Sequence, residues 1–111
     1  MGTAKAKAAP RRVRAISREM RLVRAQEATL KAEFLALPEN RYCPVMAVIF
    51  HKPRVRTEDH HHTRGKAFPA LRLAVKYWLA VSRFGHDWIE RNKEQARQHG
   101  WLCAKGKWNT L

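Results

Sequence analysis

Residues 58–66 read EDHHHTRGK, three consecutive histidines between an acidic pair and a basic turn in a chain otherwise crowded with Lys and Arg. Adjacent imidazoles repel one another whenever they are protonated, so a run of three is costly unless it is used or well solvated. Two readings stand open: a centre that binds a cation and moves protons, or a solvated loop that happens to be rich in His. A second segment, SRFGHDWIE (82–90), weighs toward the first. His86 and Glu90 are four apart and share a face if the segment is helical. His61, His86 and Glu90 then form a candidate trio for one divalent cation, with His62 left free beside it. His and carboxylate ligands with open positions suit Mg, Mn, Ni or Zn, and the residue types do not choose among them. A neutral imidazole beside such a cation can take a proton from water near neutral pH.

The rest of the chain says what such a centre would act on. Its 111 residues are one domain's length, and the 45% hydrophobic content is enough for one modest core. Lys and Arg number 23 against 9 acids, a formal charge of +14. An excess of that size points to a polyanionic partner, of which DNA is the commonest. Half of it lies in residues 1–31, where nine basic side chains face only Glu19 and Glu27. Arg11, Arg12, Arg14, Arg18, Arg21 and Arg24 are the candidate phosphate contacts there. No apolar run approaches the roughly 20 residues of a membrane span. The opening MGTAKAKAAPRRVR has no apolar h-region. A cytoplasmic protein of a bacterial host or phage-infected cell is expected. Cys43 and Cys103 form no C-x-x-C pair and no disulfide framework.

Residues 1–14 lack apolar periodicity and read as a flexible basic arm. Ile16, Met20, Val23, Leu30, Phe34 and Leu37 follow at helical spacing, with Glu27 in the missing stripe position. Ser17 can cap this helix, and Pro38 forbids its continuation. The stripe predicts burial in the core or against a partner helix, a dimer contact included. PENRYCP (38–44) reads as a turn and MAVIF (46–50) as a short strand. LRLAVKYWLAV (71–81) suits helix or strand; its YWLAV half favours a buried strand. A helix is expected from about His86, then a second from an Asn92–Gln95 capping box to Gly100. Trp78, Trp88 and Trp101 read as core, Trp108 as core or base-stacking platform, and His51 and His99 as ordinary surface residues.

In their order and spacing, EFLALPENRYCPV, HHTRGK, YWLAVSRFGHDWIE, QARQHGWL and the closing KWN resemble the small phage-type HNH endonucleases across about residues 16–109. That resemblance implies a ββα-metal fold in which a His-His pair sits on a strand and a later His on a helix. By position, His61 matches the first metal-binding histidine, His62 the general base and His86 the helix-borne ligand. Glu90 falls where the family often carries a further His or carboxylate, and His60 is the spare. Arg64, assigned a catalytic role, and Lys66 would lie beside the scissile phosphate. The chain departs from the family twice. The two C-x-x-C knuckles of many members read Cys43-Pro-Val-Met46 and Ser82-Arg-Phe-Gly85, which rules out a four-thiolate structural zinc. The central Asn should fall near Tyr77 and is missing.

The expectation is an α+β protein: arm 1–14, then a single HNH-like domain over 15–111. Within it, residues 15–37 form a basic amphipathic helix, 43–92 the ββα-metal core, and 93–111 a closing helix and tail. The expected activity is metal-dependent hydrolysis of DNA phosphodiester bonds with one divalent cation and a His base. The alternative is a catalytically inactive DNA-binding or protein-interaction module on the same scaffold. With no evident base-reading helix, targeting could fall to a protein partner.

Overall fold

The computed structural model describes residues 16–111, so the arm with Arg11, Arg12 and Arg14 lies outside them. Helix α1 (Arg18–Ala36) starts where Ser17 Oγ accepts from the Met20 amide at 3.0 Å. It ends at Leu37, whose extended backbone leads into Pro38 and a 3-10 turn, Pro38–Asn40. Asn40 turns its side-chain amide back onto the Phe34 carbonyl at 2.9 Å. Val23, Glu27 and Phe34 of the stripe are buried, while Ile16 and Leu37 stay exposed.

MAVIF, expected as a strand, is instead most of helix α2 (Pro44–Phe50). Pro44 occupies the first turn, where its missing N–H costs nothing and its fixed φ suits a helix. His51, with φ 58°, supplies a left-handed stop. Extended pairing nearby is confined to an isolated antiparallel bridge, Tyr42 to Arg56, tied by Cys43 N–H to the Val55 carbonyl.

Strands β1 (Asp59–His62) and β2 (Trp78–Val81) form a two-stranded antiparallel sheet in which His61 faces Leu79 and His62 faces Trp78. Between them, α3 (Pro69–Arg72) and a 3-10 turn (Val75–Tyr77) take the first half of LRLAVKYWLAV, which sequence favoured as strand only in its second half. Helix α4 (Arg83–Arg91) begins three residues before His86 because Ser82 caps it, accepting from Gly85 N–H at 3.0 Å. The Glu58 carboxylate takes the Arg83 amide at 2.9 Å. Helix α5 (Lys93–Gln98) has no side-chain cap: Asn92 turns instead onto the Trp88 carbonyl at 2.9 Å. Gly100 follows at φ 80°.

The molecule is therefore mixed α+β, with the sheet between α1 on one side and α2 with α4 on the other. Strand alternation splits the core in two. Trp78 and Ala80 pack with Phe34 toward α1. Val81 packs with Val45, Met46, Ile89, Trp101 and Leu102 on the other side. Cys43, Ser82 and Gly85 meet at the edge of this second cluster. A β-carbon placed on Gly85 would stand 2.6 Å from Cys43 Sγ and 3.2 Å from Ser82 Oγ. Met46 is buried there, whereas Phe84 is 60% exposed and touches Phe50 edge-on. Among the described residues, no helix is long and apolar enough to cross a membrane.

Candidate metal centre

Alternation along β1 sorts the histidine run. Asp59 and His61 turn toward α4; His60 and His62 turn toward α1. On the α4 side, His61, His86 and Glu90 bring one ligand atom each within 4.8 Å of the others. His86 and Glu90 sit one turn apart on α4, with Nε2 and Oε2 4.0 Å apart. Glu90 is exposed, while His61 is 2% exposed. His61 Nε2 is sealed from solvent with no hydrogen-bond partner. A buried, unpaired imidazole nitrogen is costly on its own and is what a metal ligand looks like without its ion. The trio can hold a divalent cation, and its N₂O donor set leaves the identity of that cation open.

His86 is oriented from behind. Its Nδ1 lies 3.0 Å from Asp59 Oδ2, which fixes the proton on Nδ1 and leaves the Nε2 lone pair facing His61 and Glu90. Asp59 also pairs with Lys31 of α1 at 3.5 Å. Burial alone would raise the Asp59 pKa, but the hydrogen bond with His86 and the nearby Lys31 ammonium hold it below the usual value.

On the α1 side, Glu27 meets both remaining histidines. Its Oε2 is 2.6 Å from His60 Nε2 and 2.9 Å from His62 Nε2, and its Oε1 accepts from Arg72 Nε at 2.5 Å. The His62 contact is close but not aligned as a hydrogen bond. Burial pushes Glu27 upward, and the bonds from His60 and Arg72 overcome it, so its pKa stays lowered. His60 lies against Trp78, ring centroids 4.2 Å apart.

Burial is the first cause that drives both His61 and His62 down to about 4. For His61 the nearby His86 adds to it, against the Trp101 backbone and Asp59; for His62, His60 adds to it, against Glu27. Both rings are neutral at pH 7, the form needed to bind a metal or accept a proton.

These groups open on a cleft of about 630 Å³ lined by His61, His62, His86 and Glu90, with Ile89 and Leu102 as apolar wall. Lys66, Lys93, Arg97 and Trp108 also line it. Arg64 does not: its guanidinium donates to Thr110 and lies over the Tyr77 ring at 4.7 Å. Arg18, Arg21 and Arg24 are exposed on α1. Near Tyr77, Thr63 gives both its N–H and its hydroxyl to the Tyr77 carbonyl.

Sequence reasoning missed Asp59, Lys93 and Arg97, and noticed Glu27 only as a break in a stripe. Asp59 stood beside the histidine run, but nothing in the spacing tied it to His86. No family model, no curated protein and no solved structure matches the chain.

Proposed function

We propose that the protein is a metal-dependent DNA endonuclease of the HNH type, with β1, β2 and α4 as its ββα-metal core. The observation that carries this reading is the convergence of His61, His86 and Glu90 on one cleft that His62 also lines. His61, His86 and Glu90 would hold the cation, with Asp59 fixing the tautomer of His86. The cation, when bound, neutralises charge on the scissile phosphate and stabilises the leaving oxygen. His62, neutral in its half-buried setting, takes the proton of the attacking water. Lys66 and Lys93 offset phosphate charge along the cleft, and exposed Arg18, Arg21 and Arg24 add contacts to flanking phosphates.

One observation favours the second reading, a DNA-binding module without catalysis. Arg64, which the family likeness sets beside the phosphate, is occupied by Thr110 and Tyr77. Supercoiled-plasmid nicking separates the two. The parent protein, with Mg, Mn, Ni or Zn, should nick and should stop in chelator. His62→Ala should lose about 10²–10⁴-fold in rate while still shifting plasmid on a gel. Plasmid shifted but never cut, by parent and variant alike, would leave the binding module as the answer.

A further inference from the structure

Neither the cation-binding trio nor the phosphate contacts require Glu27. A carboxylate set into the apolar face of α1 is costly unless it is fully partnered. Its partners here are Arg72 on one oxygen and His60 and His62 on the other.

We infer that Glu27 is a positioning residue that holds His62 as the Nε2–H tautomer, so that Nδ1 is the nitrogen left to accept a proton at the cleft. The inference rests on the reading of His62 as general base and deepens it.

Two features of the geometry carry it. His62 Nε2 is closed off from solvent, and the polar atom beside it is Glu27 Oε2 at 2.9 Å, although the ring itself lines the cleft. An ionised carboxylate only accepts hydrogen bonds, so a bare nitrogen lone pair facing it is repelled and an N–H is attracted. The proton therefore resides on Nε2, and the lone pair falls to Nδ1. The carboxylate is in turn immobilised by Arg72 on Oε1 and by His60, which Trp78 backs. This is the logic of an oriented base, in which a buried acid selects the tautomer of an imidazole without touching substrate.

Glu27, His60 and His62 also have the composition of a cation site. Against that, the Arg72 guanidinium already occupies Oε1, and neither Glu27 nor His60 lines the cleft. The observations favour a carboxylate clasp, hydrogen-bonded to Arg72 and His60 and in close contact with His62, with its positive charge supplied by arginine.

The test is Glu27→Gln, which keeps the side-chain volume, with Glu27→Asp as the conservative variant. Thermal melts confirm that each folds. Nitrogen-15 spectra of the metal-free protein at pH 7.5 report which ring nitrogen of His62 bears the proton, and plasmid nicking reports kcat and KM. We expect Nε2–H in the parent, a mixed or reversed tautomer in Glu27→Gln, and partial rescue in Glu27→Asp. The kcat should fall about 10–100-fold in Glu27→Gln with KM for plasmid nearly unchanged. Manganese affinity at the His61 trio should stay at the parent value. An Nδ1–H tautomer in the parent, or a tautomer indifferent to Glu27→Gln, overturns the inference. So does a second equivalent of Mn²⁺ bound by the parent and lost in Glu27→Gln, which would make the clasp a metal site. A parent that never nicks but whose His62 tautomer still follows Glu27 would sink the general-base reading and leave the pairing standing.

Discussion

Asp59 stands outside the trio that can hold a cation, yet it decides how one member presents itself. With its carboxylate 3.0 Å from His86 Nδ1, only Nε2 is left for coordination. Asp59→Asn should weaken Mn²⁺ or Zn²⁺ binding by about 10–100-fold in calorimetry, with little change in helix content. An unchanged affinity would mean that Asp59 serves only to pair with Lys31. The histidines also make stability depend on pH. His61 and His62 have folded-state pKa values of about 4, below the ordinary histidine value of 6.5. The unfolded chain therefore binds more protons between those limits, so this stability is present in full above 6.5 and drains away as pH falls toward 4. Buried His61 alone should account for up to about 3 kcal/mol of that loss, and half-buried His62 for less. Urea melts in chelator from pH 7.5 to 4.5 check it; a flat profile would mean that both rings are solvated. At this scale the trio that could hold a cation was visible in the sequence, because its spacing on one strand and one helix turn is local. The sequence hid Asp59 and Glu27, whose partners lie 27 and 33 or more residues away, at distances no periodicity encodes.

Elements were legible where a cap and a long periodic stripe agreed. Helix α1 has both, and Ser17 and Pro38 mark its ends. MAVIF offered five apolar residues and no period, so β-branched composition favoured strand, and the signal that mattered was Pro44 at the first helical turn. Three residues, Ser82, Gly85 and Cys43, then lock α4 onto α2. The contact leaves no room for a side chain at Gly85. Gly85→Ala forces its methyl against Cys43 Sγ and should cost about 1–3 kcal/mol, a melting temperature several degrees lower in calorimetry. Combining it with Cys43→Ala should return part of that loss; no recovery would place the strain elsewhere.

For the whole molecule, the α+β class and a basic single chain were readable from composition and pattern. The packing of α1 across the sheet was not, since a helix face carries no label for the surface that covers it. The charge has a measurable consequence. Removing residues 1–14 takes away Lys5, Lys7, Arg11, Arg12 and Arg14. Affinity for duplex DNA should drop, and the slope of log affinity against log salt should flatten by up to about 4. An unaltered slope would assign phosphate binding to the folded residues alone.

The histidine run carries one more implication. In most strands a slip of one position exposes apolar side chains and is punished at once. Here a slip of β1 exchanges imidazole for imidazole on both sides of the sheet, so the middle of the strand is nearly indifferent to its own alignment. Alignment must be written at the two ends, where Asp59 meets His86 and Thr63 grips the Tyr77 carbonyl. Weakening both ends together would let one sequence settle into two interleaved frames, each with histidines to spare and neither with its acids in place.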